Sequence, residues 1–137
     1  MYVEADLLYS LIKPGDWLRP LAERFFKKTS KQKLCTSSIT VTEIEIVARR
    51  EVGIDFSDRA LEAIKLSVKN IQILPLTEKV LTRAVNIRKA HGLNIFDSIH
   101  AATCLENKEV IVSTDHVFDL VKGLKRIDPR ELVKENN

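Results

Sequence analysis

Four places in this chain put an acid just beyond an apolar stretch. Glu4 and Asp6 follow "MYV", Glu43 follows "LCTSSI", Asp97 opens the run "IFDSIHAATCLE", and Asp115 follows "VIVS". Each acid has an ordinary role available. Thr40-Val41-Thr42-Glu43 has the form of a capping box, with Thr40 as N-cap and Glu43 reaching back. Asn94 through Asp97 has a similar form, and Asp6 and Asp115 suit the N-caps of short helices. Gathered at one edge of a sheet, however, several carboxylates repel each other and raise each other's pKa. Capping does not require such crowding, and a divalent cation would relieve it. All-oxygen donors suit Mg²⁺ or Mn²⁺. Such an ion can sharpen water as a nucleophile and clamp a phosphodiester.

The elements that must bring these acids together alternate in type. "MYVEA", "KLCTSS", "IQILPL" and "EVIVS" are short apolar strands, and "LKRID" is a last edge strand. Between them lie "LLYSLIK", stopped by Pro14-Gly15, and "DWLRPLAERFFKK", with Asp16 as N-cap. "TVTEIEIVARRE" follows, then "SDRALEAIKLSVKN" with Ser57 as cap. "TEKVLTRAVNIRKAH", closed by Gly92, precedes the helix that holds Asp97. No hairpin-type turn joins two strands. The pattern predicts an α/β fold, with a central and mainly parallel sheet between two helical layers. Its strands would end at one edge, where such folds build their sites. A single domain over 1–132 is expected, with 133–137 as a short tail.

Bulk composition narrows the classes. The chain has 137 residues, of which 45% are hydrophobic and 30% charged, enough for a core under a charged surface. Its net charge of +3 permits a nucleic-acid partner without demanding one. No apolar run reaches the length of a membrane span, and no basic leader precedes the first acids. The two cysteines, Cys35 and Cys104, lack metal-ligand spacing and are expected to be free thiols in the cytoplasm.

The stretch "GLNIFDSIHAATCLENKEVIVSTDHVFD" resembles the C-terminal motif of the PIN-domain nucleases. There an Asp opens a small-residue helix, and a strand then leads to a Ser/Thr-x-Asp turn followed by Phe. Asp97, Ala101-Ala102, Ser113, Asp115 and Phe118 occupy those positions. "SSITVTEIEIVARR" is similar to the second motif, with Glu43 as its acid. The first motif departs: Glu4 falls where the family usually has Asp, and Asp6 falls on a small polar position. The resemblance implies an α/β/α domain and Mg²⁺- or Mn²⁺-dependent cleavage of single-stranded RNA. It further implies a homodimer and, for VapC-type toxins, a cognate antitoxin. Glu43, Asp97 and Asp115 would hold metal, with Glu4, Asp6 or both. Ser113 would support them, and Asp119 is a further acid within reach.

Alternatives remain. A PIN-like binding or scaffold domain would use the acids only as caps. A housekeeping RNA-processing nuclease would share the site without being a toxin. A phosphoryl-transfer enzyme of the haloacid dehalogenase type needs Asp-x-Asp, and "VEADLLY" offers only Glu-x-Asp. Among other residues, His91 and His116 suit a helix end and an exposed turn. His100, three residues after Asp97 on one helix face, reaches towards the cleft. Trp17 and Tyr9 are expected to pack in the core or a dimer. Lys27, Lys28, Lys31, Lys33, Arg49, Arg50, Arg83, Arg88 and Lys89 form a solvated basic face, some of which would meet phosphates if RNA binds.

Overall fold

Five short strands run parallel and carry the site on one edge. The computed structural model describes residues 1–134. The strands are β1 (Tyr2–Val3), β2 (Cys35–Ser37), β3 (Gln72–Leu74), β4 (Ile111–Val112) and β5 (Arg126–Ile127). They are ordered β3-β2-β1-β4-β5, and every pairing is parallel. The α/β architecture with a central parallel sheet is therefore as the alternation of elements requires. β5 lies at the edge, beside β4.

The helices are α1 (Ala5–Ile12), α2 (Arg19–Lys28), α3 (Ser38–Glu51), α4 (Ile54–Asp58), α5 (Ala60–Ser67), α6 (Glu78–His91), α7 (Ile95–Glu106) and α8 (Pro129–Leu132), with a 3-10 turn at His116–Leu120. Successive residues of a strand face opposite ways, so β1 feeds two cores. Val3 joins Leu7, Leu8, Phe25, Ile44 and Ile64 beneath α1, α2, α3 and α5. Tyr2 joins Ile87, Ile99, Ala101, Ala102 and Phe118 beneath α6 and α7. The small residues of α7 let it lie close to α6, its main helical neighbour.

Several helix starts differ from expectation. α3 begins at Ser38, capped by Ser37, whose Oγ accepts from the Thr40 N–H. Thr40 is thus inside the helix, and the Thr40–Glu43 capping box does not form. α1 starts at Ala5, with Glu4 in the N-cap position, so Asp6 sits in the first turn and caps nothing. α2 starts at Arg19, because Asp16 instead accepts from the Leu18 N–H in the preceding turn. Ser57 is not a cap either. Its hydroxyl donates to the Glu45 carbonyl, and the helix expected over 57–70 divides into α4 and α5. Thr77, Asn94 and Asp115 cap the elements that follow them, and Gly92 takes the left-handed conformation (φ 70°) that ends α6.

Phe25, Ile64 and Val68 are core residues, whereas Leu61 is exposed. Trp17, at 85% exposure, is not packed in the core. Both cysteines are free and buried. At the C-terminal end Val133 packs against the first core, and the Lys134 carbonyl accepts from Lys28. The remainder of the expected tail, 135–137, lies outside the described residues.

Candidate functional site

Glu4 leaves β1 two residues after Tyr2 and on the same side of the chain. Its side chain is only 5% exposed, and Ser113 Oγ lies 3.4 Å from Glu4 Oε2 in position to donate. Ser113 stands at the end of β4. The same hydroxyl accepts from the Asp115 N–H at 3.0 Å, so one side chain ties the ends of β1 and β4 together. Asp115 in turn accepts from the Val117 N–H at 2.9 Å and is fixed at the start of the 3-10 turn.

Asp97 occupies the third position of α7. Its N–H donates to Asn94 Oδ1 at 2.8 Å, and Asn94 Nδ2 donates to Asp97 Oδ2 at 2.9 Å. The favourable helix end and the negative charge coexist at this residue. Nearby, Arg88 of α6 donates to Ser98 Oγ at 2.7 Å, which sets a cation beside the start of α7. Glu43 lies in the second turn of α3. Its Oε2 is 2.7 Å from Nε2 of the buried His100.

These carboxylates feel one another. Burial holds the Glu4 carboxyl well above the usual carboxylate range, and Asp6, Glu43 and Asp97 add to the rise. Asp6 is also raised, first by the protein atoms around its carboxyl and then by Glu43 and Asp115. Asp97 is raised by burial, and by Asp115 and Glu43. Glu4, Asp6, Glu43, Asp97 and Asp115 thus share one electrostatic field, as expected for neighbours at the carboxyl ends of parallel strands. A cavity of about 50 Å³, lined in part by Asp6, Tyr9, Glu43 and Val47, adjoins them.

Asp119 is not brought into this group. Arg126 of β5 donates to it from Nε at 2.9 Å and from Nη2 at 3.2 Å. These contacts, with His116, hold its carboxyl below the usual range. Arg126 also donates from Nη1 to the Ser113 carbonyl at 2.9 Å, clamping the turn that presents Asp115. Sequence reasoning passed over Arg126, since a lone arginine in "LKRID" does not show what it reaches. It also passed over Tyr2, whose hydroxyl lies 2.6 Å from His100 Nδ1.

The donor set fits a hard divalent cation. Its oxygens are carboxylates that burial and mutual repulsion make costly to ionise unaided, and a cation offsets both effects. Among the described residues, ligand atoms of Glu4, Glu43 and His100 lie within 4.8 Å of one another.

A family model described as "PIN domain" matches residues 3–124. The chain belongs to the PIN domain family. Its fold matches solved structures at low sequence identity, a toxin among them. VapC20 of Mycobacterium tuberculosis, a sarcin-ricin loop cleaving toxin, is 19% identical with a TM-score of 0.74, covering 86% of this chain and 92% of that one. VapBC2 of Rickettsia felis, bound to a DNA fragment from its promoter, gives 11% identity and a TM-score of 0.72, covering 92% and 96%. FitAcB of Neisseria gonorrhoeae gives 17% and 0.73, covering 94% and 97%. No curated protein matches the chain significantly in sequence. This PIN domain is thus of the VapC-like type in fold, and nucleases are what the family comprises. No helix among the described residues is long and apolar enough to cross a membrane.

Proposed function

We propose that this PIN domain is an endoribonuclease that cleaves single-stranded RNA and depends on Mg²⁺ or Mn²⁺. The observation that carries the reading is the shared field of Glu4, Asp6, Glu43, Asp97 and Asp115, which raises the carboxyls of Glu4, Asp6 and Asp97 together. Glu43, Asp97 and Asp115 would hold the ion, with Glu4 the nearer first-strand donor and Asp6 at the rim. When bound, the divalent ion supplies Lewis acidity towards phosphate and water. The protein's own part is positional. Ser113 holds Glu4 against Asp115, Asn94 orients Asp97, and Arg88 sets a positive charge where a phosphate could approach.

The same reading makes the chain the toxin of a type II toxin–antitoxin pair, acting in the cytoplasm as a homodimer with a protein antitoxin. The fold likeness to VapBC and FitAB-type complexes supports it. So do the exposed apolar residues Ile46, Ile54, Leu61 and Leu66, which offer a protein partner something to cover. A second reading, a binding or scaffold domain with weakened chemistry, is favoured by one feature. The longer Glu4 replaces the usual Asp and is almost wholly buried.

Cleavage of a mixed pool of labelled single-stranded RNAs separates the two. With Mn²⁺ the protein should cut, and EDTA or Asp97→Asn should abolish cutting. A well-folded protein that neither cuts nor binds Mn²⁺ would leave the scaffold reading standing.

A further inference from the structure

His100 is a polar side chain with no access to solvent, and both of its ring nitrogens are engaged. Nε2 lies 2.7 Å from Glu43 Oε2, and Nδ1 lies 2.6 Å from the Tyr2 hydroxyl. That hydroxyl is also 2.7 Å from Ser37 Oγ, the cap of the helix that carries Glu43. The directions of these bonds follow from what each group can do. A carboxylate oxygen accepts, so the arrangement that pairs every group has Nε2 donating to Glu43 and Nδ1 accepting from the Tyr2 hydroxyl. Burial pushes the Tyr2 phenol far up, which keeps its proton available to donate. Ser37 Oγ accepts from the Thr40 N–H and retains its own proton for the Tyr2 oxygen.

The chain of donors therefore runs from Ser37 to Tyr2 to His100 to Glu43. It joins β2, β1, α7 and α3. It takes up one oxygen of Glu43 and leaves the other available to a ligand. Buried polar networks that are fully paired hold a single geometry, because any other leaves a desolvated group without a partner. A capping contact alone would not need a histidine shut in the core beneath the acids.

We infer that His100, backed by Tyr2, is a positioning residue that holds Glu43 by one carboxylate oxygen and so sets the affinity of the site for a divalent ion. This rests on the metal-dependent reading above. The competing arrangement is direct ligation by His100, since its nitrogen lies close to both Glu4 and Glu43.

Mn²⁺ titration followed by electron paramagnetic resonance tests it, on the wild type, Asp97→Asn, His100→Gln, His100→Leu and Tyr2→Phe, each with a thermal unfolding curve. The wild type should bind Mn²⁺ and Asp97→Asn should not. His100→Leu should weaken binding about 10- to 100-fold, the usual cost of losing a group that orients a metal ligand. His100→Gln keeps an N–H for Glu43 and should recover most of that loss. Tyr2→Phe should weaken binding several-fold, and bound Mn²⁺ should show no nitrogen coupling. Wild-type affinity in His100→Leu would overturn the inference, as would nitrogen coupling in the wild type. If His100→Leu does not fold, Tyr2→Phe decides, and unchanged affinity there overturns it. A wild type that binds no Mn²⁺ would instead remove the metal-dependent reading itself, and this inference with it.

Discussion

Glu4 concentrates the electrostatic cost of the site. Its carboxyl is buried and faces Asp6, Glu43 and Asp97, so its folded pKa lies well above the unfolded value. Asp6 and Asp97 are shifted the same way. The folded state therefore binds more protons than the unfolded state between the ordinary carboxylate pKa and these raised values. Stability from these groups is present below that window and is lost as pH rises through it. The metal-free protein should accordingly lose stability as pH rises above the ordinary carboxylate range, read as a falling urea midpoint in EDTA. Glu4→Gln should flatten the fall, raise the midpoint at the upper end and weaken the response to Mn²⁺. A midpoint that climbs with pH would mean that the acids do not crowd one another. Among these residues, Asp97 shows how two explanations of one carboxylate combine. It fits its helix start through Asn94 and belongs to the acidic group as well.

The elements place the acids through their ends, so the caps matter to the site. Ser37 starts α3 and touches Tyr2, so Ser37→Ala should cost about 1 kcal/mol from the lost cap, measured by urea unfolding. Arg126 clamps the end of β4 to the Asp115 turn with a side chain that is only 9% exposed. Arg126→Met should keep the aliphatic packing and lose the bonds, costing about 1–3 kcal/mol. It should also weaken Mn²⁺ binding by freeing Asp115. Unchanged metal affinity in a folded Arg126→Met would show that Ser113 alone suffices. The strands and their parallel pairing were legible because central parallel strands are short, continuous apolar runs separated by helices, whereas their order in the sheet was not. The acids were legible because Glu4, Glu43 and Asp115 follow such runs and Asp97 opens a small-residue helix. The start of α3 was not, because "TVTE" copies a capping box while Ser37, three residues earlier, has the hydroxyl better placed. Nor was the His100–Glu43 contact, which joins residues 57 apart in sequence. Periodicity shows which face a residue takes, not which buried polar partner it meets across the sheet.

Taken whole, the molecule is two cores separated by one sheet, and the acidic group lies where the two layers meet. Asp6 and Glu43 come from α1 and α3 of the first layer, Asp97 from α7 of the second, Glu4 and Asp115 from the strand ends between them. An ion held by this set would bridge both layers, and the unfolded chain has no comparable site. Binding should then stabilise the entire fold by mass action, by about 2.7 kcal/mol at one hundred times the dissociation constant. For a chain of this size that is an increase in Tm of roughly 5–10 °C. Scanning calorimetry with EDTA, Mg²⁺ and Mn²⁺ reads it directly. The shift should appear as one cooperative transition moved upwards, since the ligands belong to both cores, and it should vanish in Asp97→Asn. A shift confined to part of the transition would mean that the ion binds one layer only, with the acids of the other serving as caps. An equal shift in Asp97→Asn would place the ion elsewhere on the surface and remove the acidic group from the chemistry.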